Sequence, residues 1–538
     1  MRLTRIHGPI RLDGVSNESA WEGVLPLCPV MLTPEFGGEP TERTEFLFAY
    51  DDENLYVAGR LFDGDPGGVH ANSKQRDSGD ASSDWFGVVI DAFNDKENGL
   101  AFFTTPAGLR WDAAILHDTE VEDYQNWNWD GHWDVATART KEGWFAEFRI
   151  PFSTLRLRSR EAGSIFGLIA WRSIARKEEA GIFPAIRPDW GFRSRFKVSR
   201  AQEVVVEQIR AITPLHVAPY VLGGLERAGQ TGFPGRSRHA AREAGLDVKY
   251  GLGRGFAVDL TANTDFAQVE ADDQQVNLSR FPLFFPEKRR FFQERGNTFD
   301  FTFGDDRVFD SRRIGLVDGR PVRLYGGGRI VGRAGPWDIG ALDMQSAAAA
   351  EAPGENFGVF RARRQVLDPT SYLGVIATSR IDTGGRRNTV YGADGAVRVR
   401  GDDYLTFAWA ESDDHDDPRG NSLLDRARLR VMWQRRRETG LAYFGSYGRA
   451  GNGYRPGLGY QERQDFGAYH GELSYGWLPS ARSRFYRHRL SVRGLVVTCN
   501  RDGVNETTWF HPRWEWSTKG GYSGSLLGWF DADRVSEA

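Results

Sequence analysis

Hydrophobic and polar positions alternate with a period of two along most of this chain, the mark of half-buried β-strands. Residues 44–50, Thr-Glu-Phe-Leu-Phe-Ala-Tyr, are followed by Asp51-Asp52-Glu53-Asn54 and then by a second strand pattern over 55–61. That order predicts a hairpin. Residues 85–90 and 165–172 are nearly continuous apolar runs, as expected of strands inside a sandwich core, and 144–150 alternates until Pro151 stops it. Short strands with regular turn signals predict a two-sheet β-sandwich over residues 1–205.

Beyond residue 205 the pattern changes. Strands lengthen to about 10–13 residues, the length a tilted strand needs to cross a bilayer. In 426–434, Ala427, Leu429, Val431 and Trp433 point one way, and Arg426, Arg428, Arg430, Met432 and Gln434 the other. Three arginines cannot share a dry core, so one face is expected to meet water and the other lipid or a core. Similar alternation over 256–263 and 405–409, with short turns alternating with long polar loops such as 411–418, brings the count to about 14–16 strands. Residues 268–320 break the rhythm and predict a non-strand insert, which the lumen could take up. The expected fold is all-β: a jelly-roll-like N-terminal sandwich (1–205), then an antiparallel up-and-down transmembrane-type barrel (206–538).

Composition changes this picture little. Net charge is -4, which excludes a globally basic nucleic-acid binder. The 63 glycines and 69 aromatics suit strands and tight turns, and the basic residues comprise 8 lysines and 61 arginines. Cys28 and Cys499 stand far apart, without metal-ligand spacing. No apolar run reaches the length of a transmembrane helix, and no signal peptide is visible at the start; neither absence excludes a barrel. The missing signal and the ending Trp529-Phe530-Asp531 lead one to expect a fragment, a mis-called start, or an open or incomplete barrel.

Two stretches carry resemblances. Ile10-Arg11-Leu12-Asp13-Gly14 with Ala20-Trp21, the turn 51–57, and Gly143-Trp144-Phe145-Ala146-Glu147-Phe148-Arg149-Ile150-Pro151-Phe152 resemble the family 9 carbohydrate-binding modules. That resemblance implies a β-sandwich able to hold a sugar. Residues 268–315, with Leu283-Phe284-Phe285-Pro286-Glu287-Lys288-Arg289-Arg290-Phe291-Phe292-Gln293-Glu294 at their centre, resemble an uncharacterised bacterial outer-membrane barrel family that carries such a module. This implies an envelope β-protein of a Gram-negative bacterium, without an assigned reaction.

A sugar presents apolar CH faces and polar edges, so its site needs aromatic plates beside amides or carboxylates. The densest such cluster is 124–134: Trp127, Trp129 and Trp133 beside Asn126, Asn128 and Asp130. A capped core would use the same tryptophans and bind nothing. Asp112, Asp118, Glu120, Glu122 and Asp123 form an acidic stretch without calcium-loop spacing, which reads as solvated. Glu287, Lys288, Arg289, Arg290 and Glu294 read as a structural ion-pair network. As a glycosidase acid and nucleophile, Glu287 and Glu294 would be hampered by arginines that keep both ionised. No hydrolase, zinc-protease or P-loop motif is present, and no cofactor or metal is expected. The expected partners are a carbohydrate and outer-membrane lipid, with no nucleic acid. The leading expectation is a barrel that captures, and passes, an oligosaccharide or envelope ligand; the alternatives are a hydrolase of O-glycosyl bonds and a non-catalytic envelope scaffold.

Overall fold

The computed structural model describes residues 1–538 except 80–81, 121–123, 158–162, 210–214, 230–235, 253–254, 265–275, 278–280, 286, 294, 318–319, 349–352, 416–421 and 535–538. Two sheets form the N-terminal sandwich. The five-stranded sheet has the order Thr4–Arg5, Thr44–Tyr50, Asn54–Phe62, Gly143–Pro151, Asp134–Thr140. The eight-stranded sheet centres on Ser164–Ile174, Trp85–Asp91 and Gly99–Thr104. Phe46, Phe86, Phe102, Trp144, Phe148 and Phe166 fill the space between them. The outer face of the larger sheet is covered too: Trp85, Phe103 and Trp171 pack with Phe196 of the 3-10 segment Pro188–Phe196. Cover on both faces explains why every residue of Trp85–Asp91 is buried and why its sequence is a continuous apolar run.

A 16-stranded sheet follows, from Leu215–Gly229 to Phe530–Asp533. Each strand pairs antiparallel with its neighbour in sequence, and the last two short strands both pair with Asn505–Thr518. This is an up-and-down meander. Among the described residues its first and last strands do not pair with each other. Among the described residues no helix is long and apolar enough to cross a membrane. Side chains alternate as the sequence predicts. On Glu355–Gln365, Phe357, Val359, Arg361 and Arg363 are buried while Phe360 between them is exposed. Leu373, Val375, Val431, Trp433, Leu473 and Leu490 extend that exposed apolar belt around the outside.

One expectation about this wall changes. The arginine face of Ala427–Arg435 was expected to meet water, yet Arg428 is 4% exposed. Its guanidinium holds Asp306 at 3.0 Å and lies over the rings of Phe303 and Phe466. Asp306 and Phe303 belong to the stretch between the strands Phe256–Ala262 and Leu324–Ala334, which packs against the inner wall. Phe291, Phe292, Phe299 and Ile314 of this insert join Val331, Leu342, Met344, Phe357 and Val359 in one apolar cluster. The residues 451–465 fold inward beside it: Arg307 pairs with Tyr460, and Leu458 is buried in the same cluster.

Candidate functional site

The sandwich sits against one end of the wall. The shortest hairpin turns of the sheet, 335–336 and 401–402, lie there with 436–439. Asp189 accepts from the Thr439 hydroxyl at 2.5 Å and its carbonyl from the Glu438 N–H at 2.6 Å. The Trp190 indole donates to the Arg436 carbonyl at 2.9 Å, and Arg333 faces Asp95 at 3.5 Å. The far end of the sheet carries the longer connections 263–323, 415–426 and 451–465. The insert enters from that end and reaches the sandwich, where the Asn297 amide donates to Asn98 at 2.6 Å and Arg295 lies over Phe93.

Sandwich, insert and wall meet at one ionic junction. His117 bonds Glu97 at 3.2 Å through Nδ1 and Asp300 of the insert at 3.0 Å through Nε2. Arg363 of the wall donates to the same Glu97 at 2.7 Å. Burial alone would push the His117 pKa down; the bonds to Asp300 and Glu97 outweigh it and lift it to about 9. Burial would raise the Glu97 carboxyl, but Arg363 and His117 outweigh it and hold it well below the usual carboxylate range. His117, Asp118 and Thr119 have φ of 51°, 49° and 67°, a run of left-handed residues that L side chains rarely adopt. The junction holds this loop in place.

Beside the junction a cavity of about 1080 Å³ opens between the sandwich and the inner wall. Asn126, Trp127, Asn128 and Trp129 line it from the sandwich, and Phe407, Arg430 and Arg493 from the wall. Trp127 stacks on Trp111 at 4.3 Å between centroids, and Trp129 stands edge-on to Phe102 at 5.9 Å. Four of the six residues singled out for sugar contact are therefore gathered on one cavity wall. Two are elsewhere. Trp133 is 1% exposed, packed on Phe102 and Phe148 in the sandwich core, and offers no open face. Asp130 turns outward to Arg76 at 2.7 Å.

The other acidic residues are engaged as well. Arg76 and the Gly131 N–H hold Asp112, which burial nonetheless lifts to about 6. Lys197 holds Asp118 at 2.9 Å and also pairs with Glu120. Glu122 and Asp123 lie outside the described residues. No group of three or more His, Cys, Asp or Glu among the described residues is placed to hold a metal ion. In the insert, Arg289 donates to Glu287 at 2.6 Å and to the Ile314 carbonyl at 2.8 Å. Burial raises the Glu287 carboxyl, but the Arg289 and Ser311 bonds outweigh it and leave it below its ordinary value. Lys288 is half-buried. The Arg290 side chain and Glu294 lie outside the described residues, so this network is seen around Glu287 and Arg289. Sequence reasoning missed the His117–Glu97–Asp300–Arg363 junction, because its members come from three distant parts of the chain.

Residues 212–323 match the family described as a domain of unknown function (DUF5916). No curated protein matches the chain. Among solved structures it is similar to a family 9 carbohydrate-binding module from Caldicellulosiruptor kristjanssonii in complex with cellotriose, at 17% identity, covering 40% of this chain and 97% of that one with a TM-score of 0.28. It is also similar to OccK10 (OpdN) of Pseudomonas aeruginosa, at 14% identity, 59% and 91% coverage and a TM-score of 0.27. OccAB2 of Acinetobacter baumannii is similar at 9% identity, 83% and 91% coverage and a TM-score of 0.28. The match at residues 212–323 overlaps the stretch 268–315 whose sequence resembles an uncharacterised family.

Proposed function

We propose that this protein resides in the bacterial outer membrane and captures an oligosaccharide in the cavity between its sandwich and its strand wall. The observation that carries the reading is the shared lining: indoles and amides from the sandwich face a lumen wall across about 1080 Å³. Indole faces suit sugar CH faces, and Asn126 and Asn128 can bond hydroxyls. The exposed apolar belt of Phe360, Leu373, Val431 and Leu473 supports lipid as the outer surroundings. Short turns of outer-membrane barrels face the periplasm, so the sandwich belongs on that side. Ligand passage would require the insert to move, since it packs against the inner wall. Hydrolysis finds less support, because Arg289 holds Glu287 ionised.

Two experiments test this. The full chain should fractionate with the outer membrane and migrate differently on gels before and after heating; a chain that stays soluble without detergent overturns the location. On a glycan array, the detergent-solubilised chain should bind, and Trp129→Ala should weaken binding about tenfold, or about 1.4 kcal/mol. Unchanged binding by Trp129→Ala overturns the site.

A further inference from the structure

Several cationic side chains around the cavity are already matched. Arg363 donates to Glu97 at 2.7 Å, Arg329 holds Asp259 at 2.5 Å, and Arg436 faces Glu120 at 3.6 Å. Arg430 and Arg493 are not matched: no carboxylate lies within 4.0 Å of either guanidinium among the described residues. The side-chain contact of Arg430 is to the Met432 sulfur at 3.7 Å. The acids whose field it feels are Asp305 and Asp306, and Asp306 is held by Arg428. Arg493 stands opposite Glu472 in the register of neighbouring strands, yet Glu472 is taken by Arg489 at 2.5 Å. Arg493 instead donates to His470 at 3.0 Å.

These groups form one patch of the inner wall. His470 lies in the field of both arginines. Its ring meets Phe444 at 4.8 Å and Trp509 at 5.4 Å between centroids, and the Arg493 guanidinium is 5.8 Å from both of those rings. Arg430, Phe444, His470 and Arg493 line the same cavity as Trp127 and Trp129. Two guanidiniums with no carboxylate within 4.0 Å among the described residues, that of Arg493 beside aromatic rings, match a carboxylate carried on a pyranose: the planar fork takes the two oxygens, and the rings take the CH face. A confined lumen strengthens such a field over that of a free surface.

We infer that the Arg430–Arg493 patch binds the carboxylate of a uronic acid residue, so that the captured oligosaccharide is acidic. This rests on the proposed sugar capture and adds the charge of the ligand. Calorimetry on the full chain in detergent would compare trigalacturonate, cellotriose and free galacturonate. Trigalacturonate should bind about tenfold tighter than cellotriose at low salt, and the advantage should shrink near 1 M salt, where the screening length is about 3 Å. The double variant R430Q/R493Q should lose that advantage and keep its affinity for cellotriose. R430K/R493K should keep part of it, and heat-modifiable migration should show that both variants fold. Equal affinity for the two trimers, or an advantage that survives R430Q/R493Q, overturns the acidic preference and leaves sugar capture standing. Free galacturonate binding as tightly as the trimer overturns the oligosaccharide part. Binding of none of the three overturns the inference and the sugar reading together.

Discussion

Two tryptophans four residues apart do opposite work. Trp133 is wedged between Phe102 and Phe148, whereas Trp129 reaches the cavity. Trp133→Ala should cost about 3–5 kcal/mol by emptying a core site, seen as a lower unfolding midpoint of the sandwich. Trp129→Ala should shift that midpoint far less while weakening glycan binding. His117 adds a pH dependence. Its pKa rises from an ordinary 6.5 to about 9, so its contribution is complete below about pH 6.5 and fades as pH rises through about 9. Thermal unfolding midpoints between pH 6 and 10 should fall in that window for the wild type, and H117Q should flatten the fall. An unchanged profile in H117Q would remove the junction as its source.

At the scale of elements, the insert and the wall are joined by buried charge. Arg428 and Asp306 are 4% and 7% exposed and hold each other. Asp306→Ala strands a buried guanidinium, a change that costs about 3–5 kcal/mol where a pair is fully enclosed. The insert should then loosen from the wall. Planar-bilayer recordings should show a higher conductance for Asp306→Ala than for wild type; equal conductance would mean that the insert does not hold the lumen shut. The strands themselves were readable in the sequence, because alternation fixes which residues share a face. What lies on the inner face was not. Alternation marks Arg428 as inward but cannot tell water from Phe303, Phe466 and a carboxylate more than a hundred residues away.

For the whole molecule, the proposed sidedness rests on topology. The short turns 335–336, 401–402 and 436–439 all lie at the sandwich end, and the longest connections, 263–323, 415–426 and 451–465, lie opposite. An epitope tag placed at Gly384, in the turn between Tyr372–Asp382 and Arg387–Arg400, should be labelled on intact cells. The sandwich should resist added protease until the outer membrane is broken. Labelling at the sandwich alone would invert the orientation.

The all-β class, the sandwich strands, the long alternating strands and the break between them were written in local sequence, because burial imposes a period of two on each strand by itself. The indole–amide cluster was legible as a candidate for the same local reason: Asn126 to Trp133 are close neighbours in the chain. Tertiary structure decided which of those rings is core and which faces the cavity. It also decided that Glu97, His117, Asp300 and Arg363 meet, and that Arg430 and Arg493 face the lumen with no carboxylate within 4.0 Å among the described residues. Those outcomes depend on which distant side chains arrive opposite one another, and no periodicity in a single strand encodes its partner.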